Sequence, residues 1–144
     1  MRVGFTGSRL GMNEMQSKRL IIAMHRLGAT ELHHGDCQGA DKQAHEVGRM
    51  LGLKIVGHPP VADGLRAFCV CDELRPARPF LERDLNIVLE TEFLLATPDG
   101  PWRPRSGTWT TVGYAKKSHK PCGLILPSGA VEFHPNGSTS SLFS

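Results

Sequence analysis

The chain has 144 residues, 40% hydrophobic and 22% charged, which is the make-up of one globular domain and excludes a disordered chain. Its 17 Lys and Arg against 14 Asp and Glu leave a formal charge of +3, scattered with no run that would track a nucleic-acid backbone, so nucleic acid is not an expected partner. No apolar stretch is long enough to span a membrane and the first residues enter a strand without an apolar leader, so a cytoplasmic protein is expected.

Residues 3–6 form a short β-prone run that stops at Gly7-Ser8-Arg9. Asn13 then caps a helix whose apolar face is Leu20, Ile21, Met24 and Leu27, and Gly28 ends it. Residues 31–34 make a second strand leading into Gly35-Asp36-Cys37-Gln38-Gly39-Ala40-Asp41, after which Ala40, Ala44, Val47 and Leu51 recur at helical spacing up to Gly52. A third strand over 53–56 ends at Gly57-His58-Pro59-Pro60, where two prolines stop both sheet and helix.

Residues 61–79 have no clean period and exceed the usual connection length, which reads as a flap over a site. Residues 80–89 read as a helix with Leu81, Leu85, Val88 and Leu89 on its buried face and Glu82, Arg83 and Asn86 pointing elsewhere. Residues 93–96 are a buried strand. A Pro-rich stretch over 97–105 delivers the chain to Ser106-Gly107-Thr108 and a helix through Val112, Tyr114 and Ala115. Residues 123–126 make a fifth strand, residues 131–133 a small antiparallel edge strand, and residues 136–144 a flexible tail.

Strand, Gly-rich loop and helix in repetition specify an α/β, Rossmann-like, three-layer αβα domain over residues 1–135, its mostly parallel sheet having about five strands plus the C-terminal edge strand. In such a sheet, ligands bind beyond the carboxyl ends of the strands. The residues that converge there are Gly7, Ser8 and Arg9; Gly35, Asp36, Gly39 and Asp41; His58; and Arg105, Ser106, Gly107 and Thr108.

Gly7-Ser8-Arg9 and Ser106-Gly107-Thr108 each place close-approaching backbone amides ahead of a helix, which is the chemistry of a phosphate cradle. Ser8, Ser106 and Thr108 add hydroxyl donors, and Arg9 and Arg105 add charge. Asp36 and Asp41 are candidates for ribose hydroxyls, with an Asx turn and a helix cap as their structural alternatives. Arg83 is a candidate arginine aimed into the pocket. Phe68, Trp102, Trp109 and Tyr114 are candidates for stacking on a base, Phe68 foremost.

Of the four cysteines, Cys69 and Cys71 form a C-x-C pair, with no second pair at zinc-ribbon spacing. Cys37 beside His33, His34 and Asp36 is a loose collection, so no metal and no cofactor are expected.

Gly4-Phe5-Thr6-Gly7-Ser8-Arg9, His34-Gly35-Asp36-Cys37-Gln38-Gly39-Ala40-Asp41, Gly57-His58-Pro59-Pro60, Arg83-Asp84 and Arg105-Ser106-Gly107-Thr108-Trp109, in that order, resemble the small stand-alone proteins of the SLOG superfamily, found in bacteria and their phages. That superfamily includes the Lonely Guy phosphoribohydrolases, DprA, molybdenum-cofactor carriers and sensors of cyclic ADP-ribose-type signals. The resemblance implies a homodimer or higher homo-oligomer that binds a nucleotide or nucleotide-derived signalling ligand, ADP-ribose or cyclic ADP-ribose-like, as sensor or sequestering protein, with phage anti-defence as one setting.

Lonely Guy enzymes carry a Pro-Gly-Gly-x-Gly-Thr loop followed by a glutamate, with an arginine in the preceding helix. Arg83 resembles that arginine and Ser106-Gly107-Thr108 the end of the loop, while Thr111 stands in the glutamate's place. Cleavage of an N-glycosidic bond needs a carboxylate, so binding without cleavage is the leading expectation. A nucleotide N-glycosidase using Arg83 with Asp36 or Glu82 is the rival, and DprA-like binding of single-stranded DNA the third reading.

Overall fold

The computed structural model describes residues 1–135; the tail expected at 136–144 lies outside the described residues. In chain order the elements are β1 (Arg2–Gly7), α1 (Glu14–Arg26), β2 (Glu31–His34), α2 (Ala40–Met50), β3 (Lys54–Gly57), a 3-10 turn (Asp63–Leu65), β4 (Glu73–Leu74), α3 (Phe80–Glu90), β5 (Phe93–Thr97), α4 (Gly107–Lys117), β6 (Cys122–Ile125) and β7 (Val131–His134). The strands form one sheet in the order β4-β3-β2-β1-β5-β6-β7. All neighbours pair in parallel except β6 and β7.

The sheet is buried on both faces because its strands alternate between two cores. Phe93 and Leu95 of β5 join Phe5, Leu32 and Ile55 against Leu20 and Met24 of α1 and Ala44 and Val47 of α2. Leu94 and Ala96 of the same strand point the other way, onto Ile87 and Val88 of α3 and Val112 and Ala115 of α4. Each large apolar side chain buried this way contributes about 1.5–3 kcal/mol. The helices therefore form two layers, α1 with α2 and α3 with α4, around the sheet.

Local signals set the boundaries. Asn13 and Gln16 complete a capping box at the start of α1, and buried Gln16 also donates to Pro98 O (2.8 Å) and Ile125 O (2.9 Å), tying α1 to the ends of β5 and β6. Gly39 enters α2 at φ 90°, and a side chain there would collide with the Arg9 carbonyl.

The expected mostly parallel α/β sheet is present with one edge strand more: residues 61–79, read as a flap, contribute β4, a two-residue strand parallel to β3, and the sheet has seven strands among the described residues. The buried face of α3 is also rotated from the one expected. Leu81 and Leu89 are exposed, whereas Arg83, Asp84, Ile87 and Val88 are buried. Phe80 is half-buried, so the helix turns charged residues inward, a phase that an apolar pattern cannot reveal.

Candidate functional site

The sheet order reverses between β1 and β5, since the chain builds β1, β2 and β3 outward on one side and then crosses to β5 and β6 on the other. Loops leaving β1 and β5 diverge there and leave a crevice. A cleft of about 550 Å³ occupies it, walled by the turn after β1, the start of α2, one face of α3 and the loop from β5 into α4.

Of the candidate binding residues, Gly7, Ser8, Arg9, Gly35, Asp41, Arg83, Arg105, Ser106, Gly107 and Thr108 all line this cleft. Ser106 caps α4 by accepting from Trp109 N (3.3 Å), so the Gly107 and Thr108 amides stand at the positive end of the helix dipole, ahead of its intrahelical bonds, and both residues line the cleft. Ser8 Oγ donates to Asp99 Oδ2 (2.8 Å), and Asp99 is gripped by both terminal nitrogens of Arg103 (2.6 and 3.3 Å). That bridge joins the loop after β1 to the loop after β5 across the crevice.

Arg83 is the centre of the α3 wall. Its guanidinium donates to Gly35 O, to His58 O (3.4 Å) and to Cys37 Sγ (3.6 Å), and its Nε lies 2.5 Å from Asp84 Oδ1 as an ion pair without hydrogen-bond geometry. A Cβ on Gly35 would occupy the place of the Arg83 guanidinium, so the glycine lets that side chain lie against the loop. Phe80 packs beneath two cations, Arg9 at 4.8 Å and Arg83 at 5.3 Å from its ring centre.

Two carboxyl groups flank Arg83 inside the cleft. Burial lifts the Asp41 carboxyl to about 6 although Arg83 opposes the shift, and burial likewise raises Asp84 against the same guanidinium. Thr111 is buried beside Asp84 and donates to Gly107 O (2.8 Å).

Other candidates stand elsewhere. Asp36 does not line the cleft: at φ 54° its backbone turns the carboxylate away, to accept from Arg66 Nε (2.7 Å) and Cys69 N (2.8 Å). It anchors residues 61–79, and none of those residues lines the cleft. Glu82 is an exposed partner of Arg78 (3.4 Å). Gly39 backs the cleft wall through its contact with Arg9. His58 is buried against His33 (2.8 Å), where burial holds its ring neutral, with a pKa near 3.

Phe68 is exposed beneath Arg66 (4.6 Å), away from the cleft. Trp102 is 69% exposed, and Trp109 and Tyr114 pack on the core between sheet, α3 and α4. The aromatic residues lining the cleft are Phe5, fully buried, and Phe80, half-buried. Phe80, Asp84, Asp99 and Arg103 were missed from sequence. Phe80, Arg83, Asp84 and Ile87 are spaced as one helical face, and that spacing was the available signal for the α3 wall.

Parallel sheet, switch-point cleft and two glycine-bearing cradles define a Rossmannoid protein with a small-molecule-sized crevice. Its Rossmannoid fold is shared with three solved structures. The molybdenum cofactor binding protein from Rippkaea orientalis is 19% identical, with a TM-score of 0.68 over 87% of this chain and 76% of that one. The molybdenum cofactor carrier protein from Chlamydomonas reinhardtii is 22% identical, with a TM-score of 0.62 over 85% and 74%. DNA processing protein A (DprA) from Streptococcus pneumoniae is 19% identical, with a TM-score of 0.64 over 86% of this chain and 50% of that one. No protein-family model matches the sequence, and no curated protein matches it. No helix among the described residues is long and apolar enough to cross a membrane.

Proposed function

We propose that the cleft binds a phosphate-bearing small molecule of the nucleotide class. The observation that carries this reading is the convergence of Gly7-Ser8-Arg9, the amino end of α4, Arg103 and Arg105 on one crevice at the switch point. Amides and guanidinium groups receive the phosphate, and Asp41, Asp84 and Asp99 offer acceptors for ribose hydroxyls. The finer reading is a ligand of the ADP-ribose or cyclic ADP-ribose type, held by a cytoplasmic homodimer acting as sensor or sequestering protein, with phage anti-defence as one setting. Two of the similar structures are named for the molybdenum cofactor, which places a pterin phosphate in the same test.

Calorimetry against inorganic phosphate, AMP, ADP-ribose, cyclic ADP-ribose and the molybdenum cofactor is the direct experiment. Binding of at least one organic phosphate, competed by inorganic phosphate, is expected. Absence of heat across the whole panel rejects the reading. Light scattering of the free protein tests the dimer, and a monomeric mass rejects it.

A second reading, hydrolysis of an N-glycosidic bond, is favoured by one observation: Asp84 brings a buried carboxyl beside Arg83 into the cleft, where Asp36 and Glu82 are not. An oxocarbenium-like transition state asks for that carboxylate. Nucleoside monophosphates should then release free base, and Asp84→Asn should stop the release. Intact substrate after prolonged incubation rejects hydrolysis while leaving binding in place.

A further inference from the structure

Two groups of side chains away from the cleft have the composition of metal sites. His34, His45 and Cys69 form one, and His33, His58 and Glu90 the other, with the ligand atoms of each group within 4.8 Å of one another. Counting protons separates them. In the first group the Asp36 amide donates to His34 Nδ1 (2.9 Å), which puts the ring proton on Nε2, and Nε2 donates to His45 Nδ1 (3.0 Å). Each of those contacts has one proton and one lone pair, and neither sets an acceptor against an acceptor.

The second group leaves one contact open. Glu31, His33, His58 and Glu90 stand in a row with three contacts: Glu31 Oε2 to His33 Nε2 (2.6 Å), His33 Nδ1 to His58 Nε2 (2.8 Å), and His58 Nδ1 to Glu90 Oε2 (3.6 Å). The first two are hydrogen bonds, each supplied by one imidazole N–H, whereas the third is too long for one and sets the His58 Nδ1 lone pair against a carboxylate oxygen. Both rings are 1% exposed, so neither can relieve the conflict by turning to bulk water. A cation resolves it.

We propose that His33 Nδ1, a ring nitrogen of His58 and Glu90 Oε2 bind a divalent first-row transition-metal ion. Two imidazoles with one carboxylate is a donor set such ions accept, with water completing the shell. The supporting groups are in place. Glu31 accepts from His33 Nε2, which orients the ring and leaves Nδ1 as the ligand atom. Arg75 Nε donates to Glu90 Oε1 (2.8 Å) and leaves Oε2 for the ion. The Glu90 side chain is 33% exposed and opens the way in from solvent. The His58 carbonyl, meanwhile, accepts from the Arg83 guanidinium that lines the cleft (3.4 Å), so the site sits directly behind that wall.

The test is titration of the full-length chain with cobalt(II) after stripping with a chelator, followed by visible absorption, calorimetry and thermal unfolding. One cobalt per chain and a higher unfolding temperature on saturation are expected. His58→Asn and Glu90→Gln should each weaken binding by about tenfold or more, and His45→Gln should leave it intact. Glu90 is part-exposed, so Glu90→Gln keeps the test sound should His58→Asn fail to fold, with circular dichroism reporting the fold of each variant. No binding by the stripped protein, binding that survives Glu90→Gln, or loss of binding in His45→Gln overturns the proposal.

Discussion

The polar ends of β2 and β3 and the polar ends of β1 and β5 are built from the same residue types at the same edge of one sheet, yet they do different work. Around β2 and β3, Asp36 meets Arg66 and the Cys69 amide, and His34 meets His45 and the Asp36 amide. Around β1 and β5, Arg9 and Arg105 enter no ion pair among the described residues and line an open cleft. Asp36 and Asp41 lie on the same loop and are both buried, and they fall on opposite sides of this divide. Asp36 spends its carboxylate on partners inside the chain and holds the fold, whereas Arg9 and Arg105, with no ion pair among the described residues, keep their charge for the cleft.

The strongest way to break this comparison is Asp36→Ala. It strips the Arg66 guanidinium and the Cys69 amide of their acceptor at a fully buried position, and removing one partner of a buried pair costs about 3–5 kcal/mol. Urea denaturation should show that loss, while the protein that remains folded keeps its affinity for the cleft ligand. A loss of affinity with stability intact would move Asp36 back to the binding side.

Asp41→Asn comes next, read as stability against pH. The folded-state pKa is raised, from 3.8 to about 6, so the native protein holds this proton more tightly than the unfolded chain. Below about pH 4 the group is protonated in both states and costs nothing; as pH rises from about 4 to about 6 the wild type loses stability, by on the order of 3 kcal/mol in full. The asparagine variant lacks this titration, so its advantage over wild type should grow through that window in urea midpoints and stay level above it. A constant difference from pH 4 to pH 7 would show that Asp41 does not titrate there.

Arg105→Ala sharpens the comparison from the cleft side. The side chain is exposed and enters no ion pair among the described residues, so stability should stay within about 0.5 kcal/mol. Loss of a charge-assisted bond to phosphate should nevertheless weaken the ligand by about 1.5–3 kcal/mol, roughly tenfold or more. Calorimetry on variant and wild type separates the two quantities.

The divide also explains what was legible in the sequence. Glycines, prolines and apolar periodicity mark chain direction and element boundaries, and these placed Asn13 at the cap of α1, Gly28 at its end and Ser106 at the start of α4. The first cradle could be read because Gly7-Ser8-Arg9 lies at the end of β1, and the second because Ser106-Gly107-Thr108 opens α4, a helix start that the sequence marks even though the 98–105 loop separates it from β5. β4 could not be read, since Glu73–Leu74 is two exposed residues whose strand character comes only from pairing with β3. The α3 wall was hidden for a related reason. Its buried face carries the ion pair of Arg83 and Asp84, with the Arg83 guanidinium also donating to backbone carbonyls across the fold, and a pattern of apolar residues cannot show that a charged pair points inward.

Glu82→Ala carries the smallest effect and tests that last point. Glu82 adjoins Arg83 in sequence but is solvent-facing, paired at 3.4 Å with Arg78, itself about half-exposed. An exposed pair four residues apart is worth about 0.3–0.5 kcal/mol, so the unfolding midpoint should barely move, and both ligand affinity and any base-releasing activity should be unchanged. Asp84→Asn, on the other neighbour of Arg83, should disturb the cleft because its carboxyl is buried against the guanidinium. If Glu82→Ala weakened binding while Asp84→Asn did not, α3 would present its other face to the ligand, and the cleft as the binding site would have to be given up.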